Sequence, residues 1–134
     1  MAYEALEDLK IFQVAERVCD RLYELVQPWS SLDKETVGVQ LLRAADSVGA
    51  NIAESYGLYH YGEKLNFLYY ARGSLYKTKY WVRRCQQRRL LPADVCINAQ
   101  KVQNELAIKL NALISNRRNS RNSAKESEAN SLKW

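Results

Sequence analysis

The chain has 134 residues, 47% of them hydrophobic, enough to build one domain around its own core. Its 20 Lys and Arg residues outnumber 15 Asp and Glu, and the resulting formal charge of +5 points modestly to a polyanionic partner. No run of about 18 apolar residues follows the acidic start at Glu4, Glu7 and Asp8, so neither a membrane span nor export is expected, and the cytoplasm is the expected location.

Helical periods then follow in chain order. Ile11, Ala15, Val18, Leu22, Leu25 and Trp29 recur at three- and four-residue steps, with Phe12, Cys19, Tyr23 and Val26 beside them, predicting a first helix that ends near Pro28. A second helix is expected to open at Ser31 or Asp33, with Glu35 in its first turn, and to carry Val37, Leu41, Ala44, Val48, Ile52, Ser55 and Tyr59 on one side until residues 57–62. The third centres on Leu68, Ala71, Leu75 and Val82. The fourth follows Pro92 and Asp94 with Val95, Ala99, Val102, Leu106, Leu110 and Leu113, and Pro92 suits its first turn.

No stretch alternates apolar and polar residues long enough for a strand, and the connections are short. The predicted fold is therefore all-α: an antiparallel up-down four-helix bundle over residues 1–116. Residues 117–134, "RRNSRNSAKESEANSLKW", are poor in apolar side chains and are expected to form a disordered basic and polar tail. Cys19, Cys85 and Cys96 form no CxxC pair and read as reduced thiols, each a small apolar side chain on a helix.

The stretch "LLRAADSVGANIAESYG" has helical spacing but little bulk in its middle. Ala44, Ala45, Gly49, Ala50 and Ala53 suggest a closely approaching neighbour, because a mid-helix Gly costs about 1 kcal/mol relative to Ala. Asn51 and Glu54 would lie near that contact, and Arg43, Arg72 and Ser74 are the expected partners in a buried polar network.

Two motifs carry a resemblance. "QLLRAADSVGANIAESYG" followed by "FLYYARGSLYKTKYWV" resembles the paired signature of the four-helix-bundle proteins encoded in intervening sequences of bacterial 23S ribosomal RNA genes, and "LKIFQVAERV" resembles their first helix. The chain departs from the family pattern at Gly49 and Ser55 and has Lys77 and Lys79 where acidic residues are usual. The resemblance implies a small oligomer, with a five-membered ring favoured, and a role in binding nucleic acid. A related branch, the accessory proteins of diversity-generating retroelements, implies the alternative of a protein-interaction scaffold for a reverse transcriptase.

The third helix supports both readings from its own residues. From Lys64 to Ala93 there is no Asp or Glu, while Lys64, Arg72, Lys77, Lys79, Arg83, Arg84, Arg88 and Arg89 all occur. On a wheel of about 100° per residue, Tyr69, Arg72, Tyr76, Tyr80 and Arg83 share one flank of its apolar centre, and Phe67, Tyr70 and Trp81 the other. Phe67, Tyr69, Tyr70, Tyr76, Tyr80 and Trp81 are the expected oligomer interface, since more aromatic surface is present than one bundle core covers. Lys77, Arg84, Arg88 and Arg89, with Arg117, Arg118 and Arg121 of the tail, are the expected nucleic-acid contacts, RNA being favoured over DNA. The alternative is that the cations pair with the acidic first helix, through Glu4, Glu7, Asp8, Glu16, Asp20 and Glu24.

Catalysis is not expected. His60, in a turn beside Tyr59 and Tyr61, is the sole histidine, so one chain offers no histidine triad and no multi-histidine metal site. Glu54 with Asn51 could move a proton, but no second carboxylate, phosphate loop or nucleophile motif accompanies them. No cofactor or metal is expected.

Overall fold

The computed structural model describes residues 5–131, the side chain of Glu7 excepted. Four long helices run up and down: α1 Lys10–Val26, α2 Val39–Gly57, α3 Tyr61–Gln87 and α4 Ala93–Ser131. Among the described residues there is no strand, and the all-α up-down bundle is the fold. Each helix packs on the next in the chain and α4 closes against α1, which leaves α1 diagonal to α3.

The buried stripe of α1 is Ile11, Val14, Ala15, Leu22 and Val26, and the helix stops before Pro28, whose missing N–H ends the hydrogen-bond ladder. Ser30 caps the next segment one residue ahead of the expected start: its Oγ accepts from the Asp33 N–H at 3.2 Å and donates to Asp33 Oδ2 at 3.0 Å. One α-turn, Ser31–Asp33, and a π-helical stretch, Lys34–Gly38, lead into α2. The wide π turn presses the chain against α1, so a Cβ at Gly38 would lie 3.0 Å from Val26 Cγ1 and 3.3 Å from the Asp33 carbonyl oxygen.

Gly49 is a different case. A Cβ there would sit 3.8 Å from Ala15 Cβ and 3.9 Å from Phe12 Cε2, ordinary contact distances. The close approach expected at Gly49 is therefore found at Gly38, where the sequence pattern singled out nothing.

Lys64, in the first turn of α3, reaches back to the open end of α2 and donates to the carbonyls of Ser55 (3.2 Å) and Tyr56 (3.4 Å). A cation at a helix C-terminus satisfies orphan carbonyls and opposes the helix dipole. At its far end α3 closes with Leu90 N–H to Cys85 O (2.8 Å) and Arg89 N–H to Gln86 O (3.0 Å), the Schellman pattern. The left-handed residue that this pattern needs is Arg89, with φ 59°. Pro92 lies just outside α4, its carbonyl accepting from Cys96 N–H at 3.1 Å, one position earlier than expected.

Leu68, Ala71, Leu75 and Val82 are buried as predicted, and so are Leu106 and Leu110 of α4, but the rest of the inward stripe of α4 differs. Cys96, Gln103, Leu106, Leu110 and Ile114 are buried, while Val95, Ala99, Val102 and Leu113 are half-buried, the first three lining the seam with α1. The core forms two clusters. One gathers round Leu68, Leu75 and Leu110, the other round Leu41, Val82 and Cys96. At the level between them lie two polar side chains with no exposed surface, Thr78 and Gln103.

The expected tail differs from the observed chain end. Ile114 is the last buried residue among those described, yet α4 continues through residues 117–131 as a surface helix; residues 132–134 lie outside the described part. Extending an existing helix adds one hydrogen bond per residue without a new nucleus, so the lack of a core does not by itself end it.

Candidate nucleic-acid interface

The expected cationic contacts fall into two zones. Lys77 is exposed on the outer face of α3, Arg84 donates to Gln87 Oε1 at 2.7 Å in the last turn, and Arg88 and Arg89 are exposed where α3 ends. Arg117, Arg118 and Arg121 lie at the opposite end of the bundle, on the extension of α4. Arg88 and Tyr69, which Arg118 touches, are separated by about 28 Å along α3. A single chain therefore offers two basic zones where sequence reasoning pooled one.

Near the second zone the charges are crowded. Burial pushes the Lys64 ammonium below its usual range, and the neighbouring Arg117 guanidinium pushes it the same way. Arg118 Nε donates to Tyr69 Oη at 2.7 Å, and the Nε of Arg121 is buried without a partner.

Acidic α1 does not neutralise the cations of α3 within the chain, because α1 lies diagonal to α3. Among the described residues the ion pair within 4.0 Å is Arg21–Glu24 at 3.4 Å, both exposed and both on α1. Glu4 and the Glu7 side chain lie outside the described residues. Glu16 and Asp20 instead join Asp46 of α2 around a shallow groove floored by Phe12, Gly49, Ala50 and Ala53.

The expected buried polar network does not form inside the chain. Arg43 and Glu54 are exposed, because they sit on the side of α2 opposite the stripe Leu41, Val48 and Ile52. Asn51 donates to the Ser47 carbonyl of its own helix at 2.8 Å. Arg72 points to α4 and donates to Asn111 Oδ1 at 3.3 Å, and the Ser74 carbonyl accepts from Thr78 Oγ1 at 2.8 Å. Sequence reasoning missed two buried polar residues, Thr78 and Gln103, and both Oε1 and Nε2 of Gln103 lack a partner. Its position in the heptad phase of Cys96, Leu106 and Leu110 was the available signal.

The aromatics of α3 divide. Tyr70, Tyr76 and Tyr80 are 57%, 61% and 53% exposed and surround Gly73, whose missing Cβ faces open space. Phe67, Tyr69 and Trp81 are half-buried; Phe67 meets Tyr70 edge-on at 5.5 Å, Trp81 meets Tyr80 at 5.0 Å, and Tyr69 packs on the core.

Little here suits covalent or metal chemistry. Burial, reinforced by Asp46, pushes the Cys19 thiol up to about 12, and its Sγ–H donates to the Ala45 carbonyl at 3.0 Å. Burial likewise pushes Cys85 up to about 11 and raises Cys96. Thiols held protonated are poor nucleophiles. His60 is exposed in the loop before α3, edge-on to Tyr59 at 5.2 Å. No three His, Cys, Asp or Glu side chains among the described residues are grouped to hold a metal, and no described helix is long and apolar enough to cross a membrane. A concavity of about 400 Å³ between α1 and α4 has Val18, Leu22, Leu25, Val95, Ala99 and Val102 in its walls and Arg17, Arg21 and Glu105 among its charged residues.

The family model described as "23S rRNA-intervening sequence protein" matches residues 7–112, from ahead of α1 to the middle of α4. A solved structure from Bacteroides thetaiotaomicron, of a protein with unknown function from the S23 ribosomal protein family, has the same fold. Its TM-score is 0.72 at 21% identity, over 78% of this chain and 95% of that one. Among curated proteins none matches by sequence.

Proposed function

The chain belongs to the 23S rRNA-intervening sequence protein family, and from that premise we propose that it is a non-enzymatic, oligomeric protein that binds structured nucleic acid, RNA in preference to DNA, through its basic surfaces. The observation that carries this reading is the unneutralised charge of α3. Lys77, Arg83, Arg84, Arg88 and Arg89 occur on a stretch without one carboxylate, and no ion pair engages them among the described residues. Cations left unpaired on a rigid helix release counterions when they meet phosphates, which favours tight, salt-sensitive and weakly sequence-specific binding. No cofactor or metal enters this activity.

Oligomerisation belongs to the same proposal. Tyr70 and Tyr80 present exposed amphipathic rings on either side of Gly73, the kind of surface that a second copy covers. A five-membered ring would repeat each weak phosphate contact, and the contacts would add through multivalency. The runner-up reading, a scaffold for a protein partner such as a reverse transcriptase, draws on the apolar groove between α1 and α4.

Gel shifts against a structured RNA and a DNA duplex at two salt concentrations test the proposal. Replacing Lys77, Arg84, Arg88 and Arg89 with Gln should weaken RNA binding and flatten its salt dependence by about 0.7 to 0.9 in slope per lost phosphate contact. Equal binding by the wild type and this variant at both salts would favour the scaffold.

A further inference from the structure

The seam between α3 and α4 repeats one arrangement along its length. Lys79 Nζ donates to Asn104 Oδ1 at 3.0 Å and lies 5.3 Å from the centre of the Tyr76 ring. Two turns further along α3, Arg72 donates to Asn111 Oδ1 at 3.3 Å and lies 5.2 Å from the centre of the Tyr69 ring. Arg118 completes the row, 5.3 Å from that same ring centre and bonded to the Tyr69 hydroxyl. Asn104, Asn111 and Arg118 recur every seven residues, so they stack on one face of α4 at steps of about 10 Å.

The partners of these cations are neutral. An Asn carbonyl orients a Lys or Arg but leaves its full charge available, whereas a carboxylate in the same place would cancel it. Arg72 and Arg118 each commit one N–H in these contacts, and a guanidinium has five. No acidic residue occurs on either wall: α3 has none after Glu63, and the α4 face that carries Asn104, Asn111 and Arg118 continues with Lys101, Ile108 and Ser115.

We propose that the α3–α4 seam is a track for a single-stranded segment of RNA, with Lys79, Arg72 and Arg118 each meeting a phosphate of the strand and Tyr76 offering an exposed ring to a base. The inference rests on the nucleic-acid reading above and gives it a ligand class and a surface distinct from Lys77, Arg84, Arg88 and Arg89. A cationic groove interleaved with aromatic rings is the chemistry that holds single strands without reading sequence, because every base has a face to stack and every nucleotide a phosphate. The row from Lys79 to Tyr69 spans about 15 Å, so the seam engages only a short stretch of the strand.

The same contacts could serve only to pin α3 to α4, and the test separates the two roles. Asn104→Asp with Asn111→Asp would replace two neutral partners by carboxylates, strengthening the pin while cancelling two of the charges. Binding of a labelled single-stranded 12-nucleotide oligouridylate, and of an RNA duplex of equal length, is measured by fluorescence anisotropy across a salt series, with thermal melting in parallel. The expected result is melting unchanged or raised, single-strand affinity reduced about tenfold, and a salt slope lower by about 1.4. Lys79→Gln with Arg72→Gln should weaken binding in the same way, which covers the case of a poorly folded Asp variant. Single-strand binding equal to wild type in both variants overturns the seam while leaving nucleic-acid binding in place. Binding of the duplex alone has the same consequence. If the wild type binds neither RNA in this assay nor the structured RNA above, both readings fall.

Discussion

Gly38 and Gly49 show how differently the same residue can be constrained one turn or more apart on a continuous helix. At Gly38 an added methyl meets Val26 and the Asp33 carbonyl at 3.0 and 3.3 Å, so Gly38→Ala should destabilise the bundle by about 1 to 3 kcal/mol as α1 is pushed away. At Gly49 the methyl finds room, and Gly49→Ala should stabilise by about 1 kcal/mol through helix propensity. Urea titration of the two variants checks both signs, and a loss at Gly49 would mean that something outside the chain packs there. Gln103 is the other residue whose cost is visible. Fully buried with both amide atoms unpaired, it should yield about 1 kcal/mol of added stability on replacement by Leu. A loss on Gln103→Leu would show that the amide is satisfied by an internal water.

Among the elements, α4 carries the clearest division of labour. Its first part, to Ile114, supplies the buried stripe, and the remainder to Ser131 adds surface helix from which Arg118 meets α3 at Tyr69. Truncation after Asn116 should therefore cost about 1 kcal/mol or less in stability, remove helical signal from the far-ultraviolet spectrum, and lower RNA affinity without dissociating the oligomer. A collapse of the melting transition on truncation would place the extension in the core instead. The end of α3 carries a second feature on this scale: Arg89 holds the left-handed position that Gly usually fills. A bulky cation there stores strain in the turn that presents Arg88 and Arg89 to solvent, and strained positions of this kind concentrate at functional sites.

For the whole molecule, charges of opposite sign gather on opposite sides. Acidic residues gather on the α1–α2 side around Glu16, Asp20 and Asp46, and α3, diagonal to α1, presents cations and tyrosines. If that tyrosine face lies between subunits, the wild type should sediment as a discrete oligomer, and Tyr80→Glu should shift it toward monomer with helicity unchanged, because Tyr80 is 53% exposed in the single chain. A monomeric wild type at micromolar concentration would contradict the proposal.

The sequence by itself determined the helices, their order and most of the core, because burying one face of a helix imposes a period of 3.6 residues on the text. Leu41, Val48, Ile52, Leu68, Leu75, Leu106 and Leu110 were all legible in that period and all are buried. The cationic stretch on α3 was legible for a similar reason, since a run without carboxylates needs no partner to be recognised. Tertiary structure decided what depends on two helices at once. Gly38 rather than Gly49 is the tight position because a π turn meets the end of α1, and no helical wheel contains that contact. Arg72 joins Asn111 rather than Asn51 or Glu54 because α3 turns that flank toward α4. The two basic zones lie at opposite ends of the bundle because α3 and α4 run antiparallel, so tail residues that follow α3 in the sequence return to where α3 began. Periodicity in one helix records which face is buried; which neighbour covers that face, and in what register, is settled only when the helices pack.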